Sequence, residues 1–255
     1  MNDRVPSATA AAHALPDESA EPGVSIVIPV HNEARILRIE LERIVASCRP
    51  AASRFEVIVC ENGSTDDTWS ELQEAQRAFG SEVRAVRLPA ADYGFALRRG
   101  IALCRYQAVV IFNIDFWDAE FLREALMSLS SWDGVIASKT MLGSKDTRPL
   151  PRRAITRGFN GFLRLVFGFQ GTDTHGLKAL RRGAFAKISH LCITNGDIFD
   201  TELVLRAHRR GLKIVEVPIR VAEIRQPSYR SLWRRVPTTV WSLVRLYAAL
   251  RESTE

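Results

Sequence analysis

Cysteine is scarce and badly placed for metal or disulfide chemistry. Cys48, Cys60, Cys104 and Cys192 are the whole complement and form no C-x-x-C pair, which excludes a zinc cage or a disulfide framework and fits a reducing, cytoplasmic setting. Long apolar runs are missing too. No stretch of about eighteen uninterrupted apolar residues occurs, and the opening residues mix Ala and Pro with Asp3, Arg4, Asp17, Glu18 and Glu21, so neither a membrane span nor a secretory leader is expected. Residues 1–22 hold almost no large apolar side chains and cannot offset the entropy of ordering, which predicts a flexible tail. Internal repeats and coiled-coil heptads are absent.

The remainder has the balance of an ordinary folded chain: 255 residues, 46% hydrophobic and 25% charged, near the upper size for one core. We expect one domain over 23–230 and a separate amphipathic helix over 231–255. The run VSIVIPV (24–30) is apolar and β-branched, as a strand covered on both faces requires. A helical pattern follows through residue 48, with Ile36, Leu37, Ile44 and Val45 as buried-face candidates. Strands are then expected at 55–60, 83–88, 108–112 and 134–138, alternating with helices at 65–79, 93–105 and 119–130. That alternation implies right-handed crossovers, a largely parallel sheet and an α/β fold. Residues 143–151 read as a loop, 152–167 as a basic amphipathic helix, 200–210 as a helix, and 212–221 as a strand whose pairing Pro218 limits.

In such sheets ligands gather beyond the carboxyl ends of the strands, here just after Val30, Cys60, Phe112 and Ser138. The first end reads Pro29-Val30-His31-Asn32-Glu33. In the second, Glu61-Asn62-Gly63-Ser64-Thr65, the glycine permits a tight turn and a hydroxyl can cap the next helix. Both also suit an ordinary strand-to-helix turn. The segment after the fourth strand places Asn113 and Asp115 two apart and Asp118 three further on. Oxygen ligands of this kind suit Mg2+ or Mn2+, although Asp118 equally reads as the cap of the following helix.

Taken in order, VSIVIPVHNE, ENGSTDDT, YGFALRRG, the NID segment, TDTHGLK and FDTEL resemble the family-two glycosyltransferases with the GT-A fold, and within them the dolichyl- or polyprenyl-phosphate sugar transferases. The resemblance spans residues 24–230. It implies a nucleotide-sugar donor of the GDP-mannose or UDP-glucose type, a divalent cation, and inverting transfer of a hexose to polyprenyl phosphate. By position, Pro29, His31, Asn32, Glu33, Glu61 and Ser64 would line the nucleoside pocket, with Gly63 and Gly94 shaping the donor site. Asp115, with Asn113, would meet the metal and diphosphate. Lys139, Arg152 and Thr156 would hold the acceptor phosphate, and Arg225 and Arg230 would close over the donor.

Two departures stand against that pattern: Glu61-Asn62 replaces a usual pair of aspartates after the second strand, and Asn113-Ile114-Asp115 replaces a usual Asp-x-Asp, which removes a negative charge from the cation's shell. These amides also motivate a rival reading, a catalytically silent nucleotide-sugar binding protein. A third reading is transfer to a hydroxyl of a glycan or natural product, for which Asp173 or Asp200 would be the general base.

Cations outnumber acids nine to two between residues 145 and 182 and seven to one between 220 and 251. That bias favours an anionic partner. No nucleic-acid reading module accompanies it, so a lipid phosphate fits better. Arg152, Arg153 and Arg157 suit such a group because guanidinium stays charged and grips two oxygens. After residue 231, Val236, Val240, Leu243, Tyr247 and Leu250 recur at helical spacing with Trp233 and Trp241 beside them. The pattern serves peripheral membrane contact and packing on the domain equally.

Overall fold

The computed structural model describes residues 20–221 and 229–252. The chain alternates β1 (Glu21–Val30), α1 (Ala34–Ala51), β2 (Phe55–Asn62), α2 (Thr68–Phe79), β3 (Val83–Leu88), α3 (Tyr93–Leu103), β4 (Tyr106–Ile111), α4 (Ala119–Ser128) and β5 (Gly134–Ser138). Next come β6 (Lys145–Asp146), α5 (Leu150–Phe167), β7 (Lys178–Arg181), α6 (Arg182–Leu191), α7 (Phe199–Arg209), β8 (Ile214–Pro218), β9 (Arg220–Val221) and α8 (Tyr229–Glu252). Seven strands form one sheet in the order β3-β2-β1-β4-β7-β5-β8, while β6 pairs with β9 in a second, two-stranded sheet. Every pairing in the large sheet is parallel except those of β7, which runs against both β4 and β5.

The two-residue period of a strand explains the layering. Along β1, Val24, Ile26, Ile28 and Val30 pack into the cluster formed with Leu37, Leu41 and Ile44 of α1, Leu72 of α2 and Phe121 of α4. Val27 points the other way, among Leu97 and Ile101 of α3, Phe185 of α6 and Leu203 of α7. Helices therefore cover both faces, as the unbroken apolar strands predict. A third cluster joins Leu163 and Phe167 of α5 to Val204 and Leu205 of α7 and to Leu243, Leu246 and Leu250 of α8.

Several expectations are corrected. β1 starts at Glu21, so Glu21 and Pro22 belong to the strand rather than to a tail; residues 1–19 lie outside the described ones. The supposed loop at 143–151 contains β6, whose partner β9 divides the strand expected over 212–221. Pro218 ends β8 at the sheet's edge, where no neighbour needs its missing N–H. β7 and α6 are additions to the expected elements. The core-facing residues of α8 are Leu243, Leu246 and Leu250, while Val236, Val240 and Tyr247 are exposed.

Candidate functional site

A cleft of about 720 Å³ opens at the carboxyl rim of the sheet. Pro29, His31 and Glu33 after β1, Asn62 at the end of β2, Asp92 and Tyr93 at the start of α3, and Asn113 and Asp115 after β4 line it. The opposite wall comes from Asn195, Gly196 and Ile198 before α7 and from Thr238, Thr239 and Ser242 of α8.

The turns after β1 and β2 hold each other in place. Asn32, the one described non-glycine residue at positive φ (57°), accepts from the Thr65 N–H at 2.8 Å, and its own N–H donates to Ser64 Oγ at 3.0 Å. His31 Nδ1 lies 2.8 Å from the Asn62 carbonyl. A carbonyl only accepts, so the proton sits on Nδ1, and Nε2 is left to accept from Asn32 Nδ2 at 3.3 Å. Gly63 has φ 65°, and a Cβ there would come within 2.8 Å of the Ala90 backbone. Gly94 is needed for a different reason, since a Cβ would meet Phe199 and Asn195, which bring the far wall of the cleft against α3. No side chain caps α2; Asp66 instead accepts from the Thr68 N–H at 3.1 Å.

Three expected pocket residues turn out to build the turn rather than line it. The Glu61 carboxylate is buried, accepting from the Ser64 N–H at 2.5 Å with Arg87 3.6 Å away. Asn32 and Ser64 are spent on each other and on Thr65. Asn62 takes the place on the wall. Its Oδ1 accepts from the Asp92 N–H at 2.7 Å, which fixes the amide so that the NH2 is the group left to offer.

After β4 the chain folds back within four residues: Asn113 and Phe116 exchange backbone hydrogen bonds of 3.1 and 3.0 Å. Ile114 is buried between them, which leaves Asn113 and Asp115 both on the cleft. Asp118 stands apart from this pair: its Oδ1 caps α4 by accepting from the Phe121 N–H at 2.6 Å, and it does not line the cleft. Trp117 turns away to donate to Glu40 at 2.9 Å.

Behind this turn lies a buried charged cluster. Lys139, at the end of β5, donates to the His175 carbonyl at 2.8 Å and pairs with Asp173 at 3.2 Å, with its ammonium 5.9 Å from the Phe116 ring. Burial pushes the Lys139 ammonium below its ordinary range, and Asp173 offsets this only in part. Burial alone would raise the Asp173 carboxyl, but Lys139 and the N–H groups of His175 and Lys139 outweigh it and hold it below the usual carboxylate range. Burial likewise depresses His175. Lys178 pairs with Asp200 at 3.2 Å, and Tyr93 donates its hydroxyl to the other Asp200 oxygen at 3.0 Å.

The structure thus places Lys139, Asp173 and Asp200 together in one cluster. All three are buried and paired, so Lys139 is not a free grip for a phosphate, and neither carboxylate stands open as a general base. Thr156 sits on α5 with its hydroxyl bonded to the Arg152 carbonyl at 3.1 Å and approached by Arg148 at 3.4 Å. Arg152 is partly exposed on the same turn. Arg225 and the side chain of Arg230 lie outside the described residues, as does that of Trp233.

Sequence reasoning misses the far wall, although the FDTEL motif points near it. Glu202 of that motif is fully buried and accepts from the N–H groups of Ile193 and Thr194, the Thr194 hydroxyl and Arg206 Nε. It thereby anchors the segment that carries Asn195 and Gly196 to the cleft. Among the described residues no group of three His, Cys, Asp or Glu side chains could hold a metal by itself. Asp115 with Asn113 does form an oxygen pair facing the cleft, which fits an ion whose remaining ligands come from a bound diphosphate.

This architecture is that of a GT-A glycosyltransferase. It is similar to glucosyl-3-phosphoglycerate synthase of Mycobacterium tuberculosis, solved with Mn2+, UDP-glucose and phosphoglyceric acid, at a TM-score of 0.65 and 20% identity over 89% of this chain and 80% of that one. The description "Glycosyl transferase family 2" matches residues 25–189, and the chain belongs to that family. It is 32% identical over 205 residues to the glycosyltransferase AglD of Haloferax volcanii, covering 77% of this chain but only 32% of that protein. With the dolichyl-phosphate beta-glucosyltransferase of Saccharomyces cerevisiae it shares 30% identity over 224 residues, 79% of this chain and 67% of the yeast protein. An undecaprenyl-phosphate 4-deoxy-4-formamido-L-arabinose transferase of Pseudomonas fluorescens is 38% identical over 94 residues, 36% of this chain and 27% of that one. The sequence resemblance is thus borne out for the family, and the names of the yeast and Pseudomonas relatives are those of dolichyl- and undecaprenyl-phosphate transferases.

Proposed function

We propose that the protein moves a hexose from a nucleotide sugar to polyprenyl phosphate with inversion, working peripherally on the cytoplasmic face of a membrane. The observation that carries this reading is the cleft itself, with its oxygen pair at one end and a polar wall at the other. Neighbouring strands lie about 4.8 Å apart, so the ends of β4 and β2, with β1 between them, stand about 10 Å apart. That distance suits a nucleoside diphosphate whose phosphates lie at Asp115 and whose base reaches Asn62.

Asp115 and Asn113 would hold Mg2+ or Mn2+, which would neutralise charge on the departing diphosphate. The acceptor's phosphate oxygen attacks the anomeric carbon, the bond from that carbon to the nucleoside diphosphate breaks, and the electron pair leaves with the diphosphate. No proton need be removed, because a phosphate monoester is largely dianionic near neutral pH, its second pKa lying near ~6. Burial of Asp173 and Asp200 in ion pairs favours this acceptor over a hydroxyl, which would require an open base. Arg152 and its neighbours on α5 supply the cationic positioning that an anionic nucleophile needs.

The test is incubation of the purified chain with GDP-mannose, UDP-glucose and related donors, radiolabelled in the sugar, together with polyprenyl phosphate and Mg2+ or Mn2+. A lipid-linked sugar formed from one of them is expected. Its absence with every donor and both ions overturns the proposal, and transfer to a hydroxyl acceptor alone replaces it with the rival reading.

A further inference from the structure

We infer that the surface shared by α5 and α8 docks on an anionic lipid bilayer. This deepens the proposed function by placing where the protein meets the phase that carries its acceptor. Each helix buries one stripe in the core, with Leu163 and Phe167 on α5 and Leu243, Leu246 and Leu250 on α8. What remains outside is not polar. On α5, Leu165 is 87% and Ile155 55% exposed; on α8, Trp241 is 65% and Val244 55% exposed.

The two outer stripes adjoin. Phe162 of α5 meets Phe167 edge-on at 6.2 Å, and Phe167 meets Tyr247 of α8 at 5.9 Å. Phe162 and Tyr247 are themselves exposed, so the aromatic row ties the stripes into one apolar face. Exposed apolar surface of this continuity marks an interaction site.

Charge selects the occupant. α5 carries Arg152, Arg153, Arg157 and Arg164 and no acidic residue. At about 100° per residue, Arg153, Arg157 and Arg164 fall on the opposite side of α5 from Ile155 and Phe162, and the cations beside the apolar residues stand on α8, where exposed Arg245 lies one turn on from Trp241 and Arg251 sits 5.4 Å over the Tyr247 ring. An apolar stripe bordered by cations, with Trp and Tyr among its apolar residues, is what lies flat in an anionic headgroup layer. A second copy is the poorer occupant, since two-fold pairing would set these arginines against themselves. The placement also serves the chemistry: Thr238, Thr239 and Ser242 on another side of α8 wall the donor cleft, so a bilayer against α8 lies beside the cleft.

Sedimentation with vesicles of phosphatidylcholine, with and without roughly one-third phosphatidylglycerol, tests the inference. The wild-type chain is expected to pellet with the anionic vesicles and to be released by salt, and Leu165→Glu with Val244→Glu is expected to lower the partition at least about tenfold. Neither residue touches the cleft, so the double variant should keep its transfer rate on a short, water-soluble polyprenyl phosphate, which lets docking and transferase readings fail separately. Hydrogen exchange on the unmodified chain should slow in α5 and α8 when vesicles are added, a readout independent of how the variant folds. Wild-type protein left in the supernatant, undiminished binding by the variant, or unchanged exchange in both helices overturns the inference. So does light scattering that shows a dimer broken by the double variant, which would assign the face to a second copy.

Discussion

The Tyr93 hydroxyl donates to Asp200 at 3.0 Å across 107 positions of sequence, and the other Asp200 oxygen faces Lys178 at 3.2 Å. A residue on the wall of the cleft is thus bolted to a buried ion pair beneath it. Tyr93→Phe removes one hydrogen bond and leaves the pair, for an expected loss of about 1 kcal/mol in unfolding free energy. Asp200→Asn leaves the Lys178 ammonium buried without its counter-charge, and about 3 kcal/mol is expected. Chemical denaturation of the two variants checks the order; equal losses would show that the ion pair contributes nothing beyond the tyrosine's bond.

Asp115 supplies the one carboxylate of the short turn closed by Asn113 and Phe116. Asp115→Ala should lower turnover by at least on the order of a hundredfold, while the turn stays closed by backbone bonds that do not involve its side chain. Calorimetric titration of the nucleotide in the presence and absence of Mn2+ should show that the variant has lost the ion's enhancement of binding.

Asn62→Asp keeps an acceptor for the Asp92 N–H but turns the amide's donor into a second anionic oxygen. The cleft already holds Glu33, Asp92 and Asp115. A further negative charge should repel a nucleoside diphosphate and weaken donor affinity about tenfold. Tighter binding would mean that this position meets a donor edge of the base.

Burial holds His175 below its ordinary range, with the Asp200 and Asp173 charges opposing and Lys178 and Lys139 reinforcing the shift. His208 is lowered in the same direction, chiefly by burial. Between the unfolded pKa of about 6.5 and the lower folded value, the unfolded chain binds more protons, so stability falls as the pH drops through that window. Each histidine contributes at most about 1.4 kcal/mol per pH unit. Thermal melts from neutral to mildly acid pH should decline in the wild type and decline less steeply in His175→Gln. An identical slope in the variant would assign the acid sensitivity elsewhere.

Strands with unbroken apolar character are legible in the sequence: Val83–Leu88 and Gly134–Ser138 stand where the residue pattern puts them. β7 is not, because Lys178 sits in its buried run, and a buried cation is intelligible only once Asp200 has been brought to it. On α8 two apolar stripes compete, and sequence alone does not tell which of Val240 or Leu246 meets the core. The same limit governs the site. His31, Glu33, Asn113 and Asp115 follow strand ends and are found by that rule, whereas Asn195, Thr238 and Ser242 reach the cleft from distant segments whose approach depends on Glu202 and on the packing of α8.

The reversed direction of β7 alters where useful residues must be sought in the chain. Its first residue, Lys178, stands opposite Ile111, near the last turn of sheet before Asn113. A strand entering from that side delivers to the working rim whatever precedes it, so Asp173 and His175 arrive ahead of their strand while Asp115 and Lys139 arrive behind theirs. Anyone grafting or swapping strands within this scaffold must therefore carry the upstream flank of β7, and the downstream flank of its neighbours.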